Sequence, residues 1–235
     1  MHTPKKEKII IFSGAGVSAE SGLKTFRDNN GLWENHKVTE VATPEAWKKD
    51  PEMVLRFYNM RRNQLQQVEP NPAHFALVEL EKQFEVVVIT QNIDDLHEQA
   101  GSSNVIHLHG ELNKVRSEKY SNLIYKTNRD IKLGDQCEKG FQLRPHVVWF
   151  GEEVPMMDKA IRELINAKYL LVIGTSLSVY PAANIAHYFP KQNPAFLIDP
   201  NIPEIDFDSN WTLVKEVASV GVPIVVKKLL NKKGE

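Results

Sequence analysis

Lys8-Ile9-Ile10-Ile11-Phe12-Ser13-Gly14-Ala15-Gly16-Val17-Ser18-Ala19 decides how this chain is read. Lys8 to Phe12 form an apolar run of strand length. Gly14, Gly16 and Ala19 then fit the G-x-G-x-x-[GA] pattern, in which a strand turns sharply into a helix. Glycines at such a turn let a pyrophosphate approach backbone N–H groups at the positive end of the helix. The continuation departs from an ordinary dinucleotide fold. Gly22 ends the helix early, and a polar loop carrying Phe26 and Arg27 runs on to Gly31-Leu32-Trp33. A hydride-transferring fold would instead enter a second strand and show an acidic ribose ligand about 20 residues on. The turn suits a dinucleotide, but not one used as a hydride carrier.

Outward from this turn, apolar runs predict further strands at Phe84–Thr90, Val105–Leu108, Tyr169–Ile173 and Ala195–Ile198. Thr43-Pro44, Asp50-Pro51 and Asn71-Pro72 each place a polar cap before a proline, the signature of a helix start. Further helices are expected over Met156–Ala167, from near Pro181, and from about Pro223 to Leu230. Strands alternating with helices imply an α/β fold: a Rossmann-like parallel sheet with helices on both faces. The gap of about 70 residues between the first two strands is too long for one crossover. The whole chain therefore reads as one catalytic domain. Its Rossmann-like core spans about 1–32, 69–110 and 147–235, with a smaller inserted subdomain over about 33–68 and 111–146.

Composition narrows the classes. With 42% hydrophobic and 25% charged residues the chain is an ordinary globular one. A formal net charge of -1 gives no reason to expect a nucleic-acid or membrane partner. No apolar stretch approaches a membrane span, and no signal peptide is visible before the first strand. The single cysteine, Cys137, excludes an intrachain disulfide and a cysteine-based zinc quartet. A cytoplasmic address is expected.

The second strand leads into Gln91-Asn92-Ile93-Asp94-Asp95, where polar side chains at a strand's C-terminal end face the ligand crevice of such sheets. Asp94 or Asp95 can equally cap the next helix. In His107-Leu108-His109-Gly110, alternation puts both histidines on one face, so a metal pair with Asp94 is one reading. The preferred reading makes His109 a general base, with Gly110 leaving backbone room beside the imidazole. Leu143 to Glu152 resembles an exposed strand able to pair with an extended peptide. Gly174-Thr175-Ser176 follows a buried strand and offers hydroxyls and N–H groups to phosphate or ribose.

Taken in order, these segments resemble the sirtuins, NAD-dependent protein lysine deacylases, over nearly the whole chain. The resemblance rests on Gly14-Ala15-Gly16-Val17-Ser18 with Phe26-Arg27-Asp28, on Gln91-Asn92-Ile93-Asp94, on His107-Leu108-His109-Gly110, on Val148-Trp149-Phe150-Gly151-Glu152 and on Gly174-Thr175-Ser176. It implies that NAD is consumed as a co-substrate. The acyl oxygen of a protein lysine attacks the ribose carbon as nicotinamide leaves, and His109 then accepts a proton through the ribose hydroxyls. The catalytic residues would be His109 and Asn92. The cofactor would be held by Gly14, Ala15, Gly16, Glu20, Phe26, Arg27, Trp33, Gln91, Asn92, Ile93, Asp94, Gly174, Thr175, Ser176, Asn201 and Ala218. Val148, Phe150 and Gly151 would meet the peptide, and acylated lysines of proteins would be the partners.

Tyr58 and Arg61 are one helical turn apart and share a face. Tyr-x-x-Arg resembles the branch of the family that removes succinyl and malonyl groups, with Ala42 matching its widened pocket. Acetyl-lysine is expected to enter as well. Arg56 and Arg62 read as solvated. The chain departs from most sirtuins between Glu111 and Leu143, where two Cys-x-x-Cys pairs would bind structural zinc and only Cys137 stands here. A zinc-free subdomain follows, held by packing of residues such as Leu123, Ile124, Tyr125 and Leu133. The alternative activities are NAD glycohydrolysis or mono-ADP-ribosyl transfer, which share the first bond cleavage.

Overall fold

The computed structural model describes residues 6–23, 32–33, 36–175, 187–204 and 206–232. From the N-terminal side these form β1 (Lys8–Ser13), α1 (Gly16–Ala19), β2 (Leu32–Trp33), β3 (His36–Lys37), α2 (Val38–Val41), α3 (Pro44–Lys49), α4 (Pro51–Leu65) and α5 (Pro72–Leu80). There follow β4 (Glu85–Thr90), α6 (Leu96–Ala100), β5 (Val105–His107), β6 (Gly110–Ser117), β7 (Ile124–Lys126) and β8 (Leu143–Val147). The chain continues with α7 (Met157–Ile165), β9 (Tyr169–Ile173), β10 (Ala195–Ile198), β11 (Trp211–Val214) and α8 (Ala218–Lys232).

Six strands pair in parallel in the order β11-β10-β9-β1-β4-β5. Alternation along each strand divides the core between the two faces. Ile9, Ile11, Val86, Val88, Leu171 and Ile173 pack against Leu77 of α5 and Val222 and Val226 of α8. Ile10, Phe12, Val87, Ile89, Leu170 and Val172 pack against Ala160 and Leu164 of α7. Strands buried on both faces must be apolar throughout, which is why these runs carry no polar alternation. The α/β expectation is met, and so are the five expected strands, within a residue at each end.

The three capped starts behave as their sequences dictate. Thr43 Oγ1 accepts from Ala46 N at 3.1 Å, Asp50 Oδ1 from Met53 N at 2.9 Å and Asn71 Oδ1 from Ala73 N at 2.9 Å. Each satisfies an N–H that the helix itself leaves without a partner.

Elsewhere the structure departs from expectation. Glu111 to Leu143, which lacks a clear period, contributes most of a three-stranded antiparallel sheet in the order β7-β6-β8. Its core is Leu55, Val115, Ile131, Cys137 and Leu143, with Leu123 and Tyr125 packed against it. Ile124 and Leu133, two of the residues expected to hold this region together, are instead exposed. One face of this small sheet covers α4, so the buried positions are those on that face. The strand expected to run to Glu152 ends at Val147. Strand β11, with both central residues exposed, is a sheet edge that its short pattern did not announce. The last helix starts at Ala218 rather than near Pro223, and the proline sits inside it. Pro223 forfeits one helical hydrogen bond, while Val222, Val225, Val226 and Leu229 bury the face that holds the helix in place. The helix expected near Pro181 lies outside the described residues. None of the described helices is long and apolar enough to cross a membrane.

Candidate active site

Gly14, Ala15 and Gly16 follow β1, Gln91 to Asp94 follow β4, His109 follows β5, and Gly174 and Thr175 follow β9, four neighbouring parallel strands of the sheet. After β1, Gly14 N donates to Ile173 O at 3.0 Å and Gly16 N to Gly174 O at 2.8 Å. A Cβ on Gly16 would meet Gly174 Cα at 2.6 Å, and one on Gly174, where φ is +58°, would meet Val17 N at 2.4 Å. The glycines therefore do something other than expose N–H groups to a pyrophosphate. They let the β1 and β9 loops lock together, and the N–H groups of Gly14 and Gly16 point into that seam. Ala15, between them, is the exposed residue of the turn. Gly22 has φ +96°, and the early helix stop read from it is present.

Across this seam, Gln91 Nε2 donates to Thr175 Oγ1 at 3.0 Å. Asn92 is buried, its Nδ2 donating to Gly14 O at 3.2 Å and to Ser18 Oγ at 3.1 Å. Ser18 Oγ in turn donates to Asp94 Oδ2 at 3.1 Å. Asp94 also accepts from Leu96 N through Oδ1 at 3.2 Å, so it takes up the first N–H of α6, while Asp95 at the cap position makes no side-chain cap bond. Burial pushes the Asp94 carboxyl above its ordinary value, opposed by the hydrogen bonds from Leu96 and Ser18. Ser18 thus joins both nicotinamide-side candidates. It was legible only as part of a motif, because its partners lie more than 70 residues away.

The loop from Thr90 to Ile93 is held at every carbonyl. Leu108 N donates to Thr90 O at 2.9 Å and Leu112 N to Ile93 O at 2.8 Å. Between them, His109 Nδ1 lies 2.9 Å from Gln91 O and His107 Nδ1 lies 3.0 Å from Asn92 O. A carbonyl can only accept, so His109 carries its proton on Nδ1 and presents Nε2 as the basic nitrogen. Burial lowers its pKa below the ordinary histidine value, against the opposing bond to Gln91. At neutral pH His109 is a neutral base with a defined tautomer.

Gly110, with φ +80°, does not leave room for a ligand. A Cβ there would meet His146 O at 2.1 Å, because β8 passes against the backbone at that point. Val148 N donates to His109 O at 2.9 Å and Phe150 N to Ala42 O at 3.0 Å. These N–H groups are thereby used within the protein. Phe150 and Gly151 are exposed and Val148 is half-buried. Glu152 organises the turn: it accepts from Arg144 Nη1 at 2.7 Å and from Trp149 N at 2.8 Å.

On α4, Tyr58 and Arg61 are both buried. Trp149 Nε1 donates to Tyr58 OH at 3.1 Å, and Arg61 Nη1 donates to Gln64 Oε1 at 3.0 Å. Ala42, Tyr58, Ile93 and Trp149 share one cluster that joins this helix to the Asn92 loop. Burial raises the Tyr58 phenol far above its usual pKa, so it stays protonated. Arg56 is exposed, as expected, but Arg62 is not. Its Nε donates to Leu112 O at 2.8 Å and its Nη1 to Asn59 Oδ1 at 2.8 Å. The small sheet covers that side of α4, and Arg62 supplies donors to backbone that would otherwise be buried without them.

Glu20 accepts from Ser219 N at 2.8 Å and from Ser219 Oγ at 2.5 Å, fastening the segment after β1 to α8 beside buried Ala218. Asn201 N donates to Asp199 Oδ1 at 2.8 Å. Phe26, Arg27 and Ser176 lie outside the described residues, as does the side chain of Trp33. Among the described residues one group could hold a metal, Glu98, His107 and Glu111, with ligand atoms within 4.8 Å of one another. Asp94 is not part of it.

The model of the Sir2 family matches residues 14–181, from the glycine turn past Thr175. The chain belongs to the Sir2 family. An NAD-dependent protein deacylase of Helicobacter pylori is 51% identical over 96% of this chain and 98% of its own length. One from Bacteroides thetaiotaomicron is 47% identical over 92% of this chain and 95% of its own. Among solved structures, a Sir2 homologue in complex with NAD is 38% identical, with a TM-score of 0.86 over 97% of this chain and 91% of that one. A Sir2 structure with a deacetylated peptide and an acetyl-ADP-ribose is 29% identical, with a TM-score of 0.76 over 97% and 94%. This family's fold is the sheet described above.

Proposed function

We propose that this Sir2-family enzyme, an NAD-dependent protein deacylase, removes succinyl and malonyl groups from lysine side chains and accepts acetyl-lysine as well. NAD supplies the activated ribose carbon to which the acyl group is transferred. One observation carries the reaction class. A neutral imidazole of fixed tautomer, His109, is anchored to the same short loop as Asn92 and Asp94, across the seam of the β1 and β9 turns.

His109 Nε2 takes a proton by way of the ribose hydroxyls. Asn92 and Asp94 hold the nicotinamide end, and Gln91 and Ile93 line the ribose side. Ala15, Thr175 and Ser176 carry the phosphates with Gly14, Gly16 and Gly174 shaping the turn. Glu20, Asn201 and Ala218 border the adenosine, Phe26 and Arg27 would close over the cofactor with Phe26 limiting attack by water, and Trp33 belongs to the cofactor-binding set. Val148, Phe150 and Gly151 meet the peptide.

The acyl preference is supported by Tyr58 and Arg61. A buried phenol kept protonated and a guanidinium one turn away can together donate charge-assisted hydrogen bonds to a distal carboxylate. Ala42, packed in the same cluster, adds little bulk. The lone cysteine, Cys137, buried with its Sγ donating to Ser117 Oγ at 3.4 Å, fits a reducing cytoplasm. Incubation with NAD and a succinyl-lysine peptide, followed by mass spectrometry, tests the reading. Deacylation yields free lysine peptide, nicotinamide and O-succinyl-ADP-ribose. ADP-ribose with unchanged peptide would establish the glycohydrolase instead.

A further inference from the structure

His107 takes no part in the chemistry above, yet its ring is more constrained than that of His109. It ends β5 with a side chain only 6% exposed. Nδ1 lies 3.0 Å from Asn92 O, and Nε2 lies 2.7 Å from Glu98 Oε1 on α6. The carbonyl can only accept. The Glu98 side chain is 38% exposed and is the more acidic partner, so the shared proton rests on the imidazole. A neutral ring could serve one of these acceptors but not both.

From this geometry we propose that His107 stands as an imidazolium that clamps the Asn92 peptide to α6, a positioning residue for the nicotinamide end of the site. The two histidines of one short motif thus hold adjacent carbonyls in opposite charge states. His109 holds Gln91 as a neutral ring and keeps a basic nitrogen. His107 holds Asn92 as a cation and has none to offer. The donors of Asn92 are tied down on the other side: its N–H donates to Thr90 Oγ1 at 3.0 Å, and its Nδ2 spans Gly14 O and Ser18 Oγ. Release of the carbonyl would leave the peptide plane free to rotate about these anchors, carrying Asn92 and Asp94 with it.

The surroundings favour the cation. Burial alone would lower the His107 pKa, but Glu98, the Asn92 carbonyl and Glu111 together raise it above the ordinary value. The charged and titratable groups around it are Glu98 and His97 from α6, Asp94 from the loop, and Glu111 with its partner Lys114 from β6. A metal held by Glu98, His107 and Glu111 would have to displace the proton that His107 Nε2 shares with Glu98, so the ring's protonation state distinguishes an ion pair from a metal centre.

The inference rests on the reading that Asn92 and Asp94 hold nicotinamide, and the test separates the two. In protein carrying 15N-histidine, both ring nitrogens of His107 should resonate as protonated at pH 7.5, while His109 shows a single neutral tautomer. Glu98→Gln lies on a partly exposed side chain and keeps the fold. It should weaken NAD binding by about tenfold in calorimetry, the worth of one charge-assisted hydrogen bond, with KM for the acyl peptide unchanged. It should also move the alkaline loss of NAD affinity to lower pH, and His107→Gln should abolish that pH dependence. A neutral-tautomer spectrum for His107, or unaltered NAD affinity in both variants while Asn92→Ala loses it, would overturn the clamp alone. Unaltered NAD affinity in Asn92→Ala would remove the underlying reading, and the clamp with it.

Discussion

The Nδ1 of His109 lies 2.9 Å from the carbonyl oxygen of Gln91, so the proposed base is tied to the loop that carries Asn92 and Asp94. The bond fixes the tautomer, and burial keeps the ring neutral at lower pH than an ordinary histidine. His109→Ala should therefore lower kcat by about 10² to 10⁴-fold, the usual worth of a positioned general base. In the wild type, the acid limb of kcat, where the ring gains its proton, should lie below the ordinary histidine value. A pH–rate profile whose acid limb sits above the ordinary histidine pKa would refute this assignment.

Arg61→Met removes the guanidinium from the proposed acyl pocket while keeping much of the apolar stem. We expect kcat/KM for a succinyl-lysine peptide to fall by about 10 to 100-fold, since a hydrogen bond to a charged group is worth ~1.5–3 kcal/mol. The acetyl-lysine rate should change only a few-fold. Equal losses on both substrates, measured side by side, would sink the pocket.

The small sheet should need no metal. Val115, Ile131, Cys137 and Leu143 give it an apolar core of its own, continued into α4 through Leu55. Elemental analysis of the purified protein should find zinc far below one equivalent, and EDTA should leave the melting temperature where it was. Ile131→Ala should destabilise the fold by about 2–5 kcal/mol, as for other large-to-small core changes. Stoichiometric zinc would show that packing is not what holds this region.

Acid should unfold the protein through two buried rings. His74 and His97 lie 4.9 Å apart between centroids, and both are almost wholly buried. Burial lowers His74 to about 4 and His97 well below the ordinary histidine value. Because the folded values lie below the unfolded one, the unfolded chain binds more protons in the interval between them. Stability is therefore full above pH 6.5 and declines as pH falls toward 4, by about 3 kcal/mol for His74. His74→Gln keeps the N3 residue type of a capping box and should melt with a shallower pH dependence over that range. An unchanged slope in thermal melts from pH 7.5 to 4.5 would remove His74 as the cause.

Much of this was legible locally. The apolar runs of β1, β4, β9 and β10 are strands because only a doubly covered sheet buries such segments, and the caps at Thr43, Asp50 and Asn71 act on N–H groups two or three residues away. The order of the short polar segments sufficed to indicate the family. What the sequence left open is set by contacts between residues far apart along the chain. Gly16 meets Gly174, Gly110 meets His146, and Arg62 reaches Leu112, so the glycines serve backbone packing and the arginine is interior. The protonation states of His107 and His109 belong to the same class. Two imidazoles separated by one leucine look equivalent in sequence, but a carboxylate faces the second nitrogen of one and not of the other. Only the folded chain places Glu98 there, and that makes one ring a cation and leaves the other a base.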